Sequence, residues 1–180
     1  MANRGVVLEN PVTGQRIVFE QTAGDTDGEL LEVESVYTQP TPSRPPVHYH
    51  PAQEEHFEVL AGKLCVIIDG ERKTLDEGET LVVPEGTPHT MWAESAGVRV
   101  GWQTRPALET EAFFETVYGL ARDGKVNSKG TPNLLQSAVI ARSYAREFRL
   151  ASPPWPVQRL LFAVLAPIGK LLGYRATYRD

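Results

Sequence analysis

The stretch that decides the fold is His48-Tyr49-His50-Pro51-Ala52-Gln53-Glu54-Glu55-His56-Phe57-Glu58-Val59-Leu60-Ala61-Gly62. It opens with two histidines separated by one residue. On a strand, positions i and i+2 point to the same face, so both imidazoles are presented together. Glu55 follows at the start of the next strand-like run, residues 55–60. In that run Glu55, Phe57 and Val59 share one face, and Glu54, His56 and Glu58 share the other. If the apolar pair points inward, Glu55 points inward too and His56 points out.

The chain has four histidines, His48, His50, His56 and His89. His89 lies in Pro84-Glu85-Gly86-Thr87-Pro88-His89, a Gly/Pro turn that returns the chain into a strand. Neutral imidazoles and a carboxylate form a mixed nitrogen and oxygen donor set that suits first-row divalent metals. His48, His50, Glu55 and His89 are therefore the predicted metal ligands. Phe57, Met91 and Trp102 are the predicted pocket lining.

Working outward, residues 15–21, 30–38, 63–68 and 81–84 also read as strands, and Val98, Val100 and Trp102 alternate in a last one. Turns fall at Ala61-Gly62, at Asp69-Gly70 and over residues 76–79. Asp-Gly between two strand-like runs is a strong hairpin signal, because both residues tolerate positive φ. Many short strands separated by Gly and Pro turns mean a sandwich or a barrel. Pro106 marks a change of texture. Residues 110–122, 133–148 and 157–172 carry apolar side chains at helical spacing, the last with a kink expected at Pro167.

At this point the sequence resembles the cupin family. Its first motif, G-x5-H-x-H-x3–4-E-x6-G, is met by His48, His50, Glu55 and Gly62. Its second, G-x5-P-x-G-x2-H-x3-N, is met by Gly78, Pro84, Gly86 and His89. Pro42 stands in place of the opening glycine and Ala93 in place of the closing asparagine. Neither is a ligand position. The resemblance implies a mainly β fold, a double-stranded β-helix or jelly-roll barrel of the RmlC-like type, followed by about three C-terminal helices. Residues 1–105 are then the barrel with its metal site, and 106–180 a helical extension packed on the barrel or on a dimer interface.

It also implies one divalent transition metal per chain (Fe, Mn, Ni, Co or Zn) and a small-molecule substrate or ligand. Two functions follow. One is an enzyme, a mononuclear metal-dependent oxygenase or isomerase, in which Glu55 is a ligand and a candidate catalytic base. The other is a non-catalytic binding or sensing barrel. Fold analogy does not choose between them.

Composition narrows the partners. Of 180 residues 41% are hydrophobic and 23% charged, ordinary for a globular protein. Residues 1–105 hold 17 acids and 8 bases, and residues 106–180 hold 6 acids and 10 bases. An acidic first part argues against nucleic acid, since phosphates need cations opposite them. The single Cys65 permits no intrachain disulfide and reads as a small core residue. With no apolar leader at the N-terminus, a cytoplasmic location is expected. The ten non-polar residues 160–169 are too few for a transmembrane span. A homodimer is the expected assembly.

Overall fold

A computed structural model describes residues 3–178. Eleven strands are described: β1 (Val7–Asn10), β2 (Gln15–Gln21), β3 (Leu31–Tyr37), β4 (His48–Tyr49), β5 (Glu54–Ala61), β6 (Leu64–Ile68), β7 (Glu71–Leu75), β8 (Thr80–Val83), β9 (His89–Trp92), β10 (Val98–Arg105) and β11 (Arg149–Leu150). Three helices accompany them: α1 (Thr110–Arg122), α2 (Leu134–Ser143) and α3 (Trp155–Leu171).

The strands form two antiparallel sheets. The larger has the order β1-β2-β3-β10-β5-β8 and the smaller β11-β4-β9-β6-β7. Apolar alternation decides which faces meet. Phe57, Val59, Val98 and Val100 from the larger sheet pack on Leu64, Val66 and Leu75 from the smaller one. Burying these faces removes apolar surface from water and fixes strand register, because a one-residue slip would turn every one of them outward. The Asp69-Gly70 turn has positive φ at both residues, 48° and 83°, and joins β6 to β7 as a tight hairpin. Gly62 also needs its φ of 78°, and a Cβ there would meet Val98 Cγ2 at 3.1 Å.

A second apolar layer joins the tail to the barrel. Ala107, Phe114 and Tyr118 pack on Ile17, Phe19, Leu31 and Val33. Farther along, α3 lies against α2. Gly169 permits this approach, since a Cβ would stand 2.8 Å from Val139 Cγ2 and 3.1 Å from the Leu135 carbonyl. The helix α3 continues through Pro167. A proline has no N–H for the carbonyl four residues earlier, here Ala163. Arg142 Nη1 donates to that carbonyl at 3.2 Å, so the orphaned acceptor gains a charged partner.

One helix is shorter than its periodicity suggests. The spacing predicts a helix through residue 148, but α2 ends at Ser143. Its start is as expected: Asn133 caps it, accepting from the Gln136 N–H at 3.0 Å. Beyond Tyr144 the chain turns, and Arg149–Leu150 pairs with β4 as an added edge strand. Contacts with the barrel override the helical pattern there, and those contacts belong to the site described next.

Candidate metal centre

The two sheets bring the three predicted histidine ligands together and set Glu55 against two of them, His50 and His89. His48 and His89 are directly opposed partners in the β4–β9 ladder, so their side chains share a face. His50 lies one residue beyond β4, where its carbonyl accepts from the Gly86 N–H at 2.9 Å. That bond ties the histidine pair to the turn carrying His89. Glu55 projects from β5 of the opposite sheet, next to Thr104 and Val83 in the ladders. The parity reading holds here: Glu55, Phe57 and Val59 are buried, while His56 points outward and meets Glu54 at 2.6 Å.

Ring nitrogens of His48, His50 and His89 lie within 4.8 Å of one another, close enough to share a metal ion. Each ring places its other nitrogen on a backbone carbonyl: His48 Nδ1 on Pro46 at 3.1 Å, His89 Nδ1 on Thr87 at 2.9 Å, and His50 Nδ1 on Glu147. A carbonyl can only accept, so Nδ1 carries the proton in each ring. The Nε2 atoms of neutral rings then present lone pairs inward. This is the arrangement by which proteins orient imidazole for a metal.

Glu55 Oε2 stands 3.2 Å from His50 Nε2 and 2.9 Å from His89 Nε2. These three atoms are buried and have no hydrogen-bond partner when both rings are neutral. Lone pair facing lone pair at that distance is repulsive, and an unpaired buried polar atom costs about 1–3 kcal/mol. A cation between them removes the conflict. The donor set of three imidazoles and a carboxylate fits a first-row divalent ion.

The alternative cation is a proton, and the electrostatics divide the rings. Burial pushes His48 down to about 3, with His89 and His50 adding to the effect, so it stays neutral. Burial also opposes charge on His50, but Glu55 and the Glu147 carbonyl outweigh it and raise its pKa. Glu55 is penalised by burial, yet His50 and His89 hold its carboxyl well below the usual range. The carboxylate is ionised throughout the physiological range. Its other oxygen, Oε1, accepts from Trp102 Nε1 at 2.9 Å.

Beside the ligands lies a cavity of about 220 Å³. Met91 and Trp102 line it, with Phe113, Phe114 and Phe148. Phe57 stands behind this wall in the barrel core, its ring 5.6 Å from that of Trp102. Phe148 stacks on His48 at 4.7 Å and on Phe113 at 5.4 Å. Glu147 and Phe148 had no motif to announce them. Gln53 also lines the cavity; its Nε2 donates to the carbonyls of Pro106 and Ala107 and to Thr110 Oγ1. Those acceptors fix the amide orientation, and Oε1 is left without a partner. Where the motif's asparagine is missing, Ala93 uses its backbone instead. Its N–H donates to Thr41 Oγ1 at 3.1 Å and its carbonyl accepts from the Thr41 N–H at 2.9 Å.

Residues 35–102 match the family model for the cupin domain. The barrel is a cupin domain. This cupin is 31% identical over 154 residues to an oxidoreductase of Arthrobotrys oligospora, covering 76% of this chain and 59% of that one. It is 35% identical over 159 residues to the probable oxidoreductase yanE of Aspergillus niger, covering 78% and 60%. Against quercetin 2,3-dioxygenase of Bacillus subtilis the identity is 30% over 92 residues, covering 51% of this chain and 27% of the relative. The cupin thus spans 59% and 60% of the length of the two fungal relatives.

Proposed function

We propose that this cupin is a metal-dependent oxidoreductase acting on a small aromatic metabolite that carries a hydroxyl group. The observation that carries the reading is the convergence of three imidazole nitrogens and Glu55 Oε2 beside an aromatic cavity. His48, His50, Glu55 and His89 would hold one divalent ion. A redox-active ion there supplies Lewis acidity and one-electron chemistry. The names of the fungal relatives and of the bacterial dioxygenase support an oxidative step over an isomerisation.

The chain's own residues define the rest. Phe113, Phe114, Phe148 and Trp102 offer faces and edges to a planar ring and keep water from the ligands. At about 220 Å³ the cavity suits a molecule smaller than an average drug. Gln53 Oε1 is an acceptor in search of an O–H or N–H, which favours a phenol over a hydrocarbon. Glu55 keeps its charge and is steadied by the Trp102 N–H, so it would serve as a ligand, and its carboxylate could also accept a proton from a bound hydroxyl.

The test is elemental analysis of protein purified without chelator, followed by dioxygen uptake with a panel of flavonols and simple phenols. The expected result is about one metal per chain and uptake abolished by chelation. Metal without any turnover would favour a binding or sensing barrel instead.

A further inference from the structure

The helix α3 has two contrasting faces. Inward, Phe162, Ala166 and Gly169 are buried, and Gln158 Nε2 donates to the carbonyls of Leu150 and Pro153 at 2.8 and 2.6 Å. Outward, Val157, Leu160, Leu161, Val164, Ile168 and Leu171 recur at steps of three and four residues and are all exposed, Leu160 to 71% and Leu171 to 87%. This is one continuous apolar stripe on a helix whose other face is firmly packed. Single exposed leucines need no explanation, but a contiguous stripe marks something that covers it.

The surrounding charge says what. Arg159 and Lys170 are exposed on α3 and Arg175 just beyond it. From Phe148 to Tyr178 the sequence holds no aspartate or glutamate. Trp155 sits at the first turn under the Arg149 guanidinium, 3.9 Å from its ring centroid. A second copy of α3 set two-fold against the stripe would cover the apolar side chains but offer these cations no carboxylate from its own residues 148–178. An anionic lipid surface offers hydrocarbon to the stripe and phosphate to the cations. The 17 residues of α3 reach roughly 26 Å, and no described helix is long and apolar enough to cross a membrane, so α3 is suited to lie in the interface.

We infer that α3 is an interfacial helix that docks this cupin on anionic membrane surfaces through its outward apolar stripe. The stripe lies parallel to the bilayer plane, and Arg159, Lys170 and Arg175 reach the headgroups with their long stems. This does not depend on what the metal centre does.

The test is co-sedimentation of the full-length, metal-loaded chain with phosphatidylcholine vesicles containing a quarter phosphatidylglycerol, against pure phosphatidylcholine. Binding to the anionic vesicles should be stronger by roughly tenfold and should weaken with added salt. Leu160→Glu with Val164→Glu should lower that binding by about tenfold or more, with an unchanged circular dichroism spectrum. Arg159→Gln with Lys170→Gln should reduce the preference for anionic over neutral vesicles and leave the stripe intact. No binding to either vesicle, or equal binding by the Leu160→Glu, Val164→Glu protein, would overturn the inference. So would a dimer in solution that this variant splits while vesicles are ignored, which assigns the stripe to a second copy.

Discussion

The barrel mouth and the outer face of α3 are unsatisfied in opposite ways. At the mouth, His50 Nε2, His89 Nε2 and Glu55 Oε2 are buried polar atoms that face one another and lack a partner when both rings are neutral. On α3, leucines and valines are exposed without cover. Burial without a partner costs free energy at the first, and contact with water costs it at the second. Folding stability explains neither, and under the readings proposed above each is where the folded chain would bind a further component. The former calls for a compact cation and the latter for an extended apolar surface.

The largest expected effect breaks the separation between the two regions. Truncation after Arg105 would remove Ala107, Phe114 and Tyr118 from the cluster over β2 and β3, and would take away the Glu147 carbonyl that orients His50. The shortened chain should be insoluble or partly unfolded, with newly exposed apolar surface binding a hydrophobic dye. A soluble, metal-binding barrel with the thermal stability of the full chain would show that the tail is an independent attachment.

Next comes His50→Ala. It should cut metal affinity by on the order of 100-fold or more, because a direct ligand is worth more than the partners that orient it. The circular dichroism spectrum should persist, since the core between the sheets does not use the metal. An unfolded variant would make the centre structural.

Much of this was readable from local sequence, and what was not has a common cause. The Asp69-Gly70 turn, the alternation of β5 and the histidine pair are short-range signals, and each specified its neighbours' geometry. The strands β1 and β11 are edges of their sheets. An edge strand carries little alternation, and β11 exists only because β4 is there to pair with it. Likewise, 97 residues separate His50 from Glu147, and a helical pattern runs straight over the latter. The candidate ligands sit in short motifs that can be read locally; the groups that aim and enclose them come from the far end of the chain.

Phe148→Ala tests one of those groups. It removes the one ring that stacks on both His48 and Phe113, and should cost roughly 2 kcal/mol of stability in a thermal melt. Trp102→Phe is milder. It deletes the donor to Glu55 Oε1 and trims a ring packed on Phe57 and Phe114, so metal affinity should fall by about tenfold with a smaller loss of stability than Phe148→Ala. An unchanged affinity would mean that Glu55 needs no outer support to bind.

The smallest effect is expected at Glu54, one residue from a ligand. Its carboxylate faces outward and pairs with His56, both partly exposed, and exposed pairs contribute about 0.2–1 kcal/mol. Glu54→Ala should therefore leave metal affinity unchanged in a competitive chelator titration. Glu55→Ala in the same titration should resemble His50→Ala, because it removes a ligand and leaves Trp102 Nε1 without its acceptor. The contrast rests on parity alone. In β5, Glu55, Phe57 and Val59 turn inward together, so a one-residue slip would carry Phe57 and Val59 out of the core as it carried Glu54 in. The hydrophobic face thus selects which of two adjacent carboxylates would meet a metal, and equal losses from the two variants would mean that the register of β5 differs from the one described.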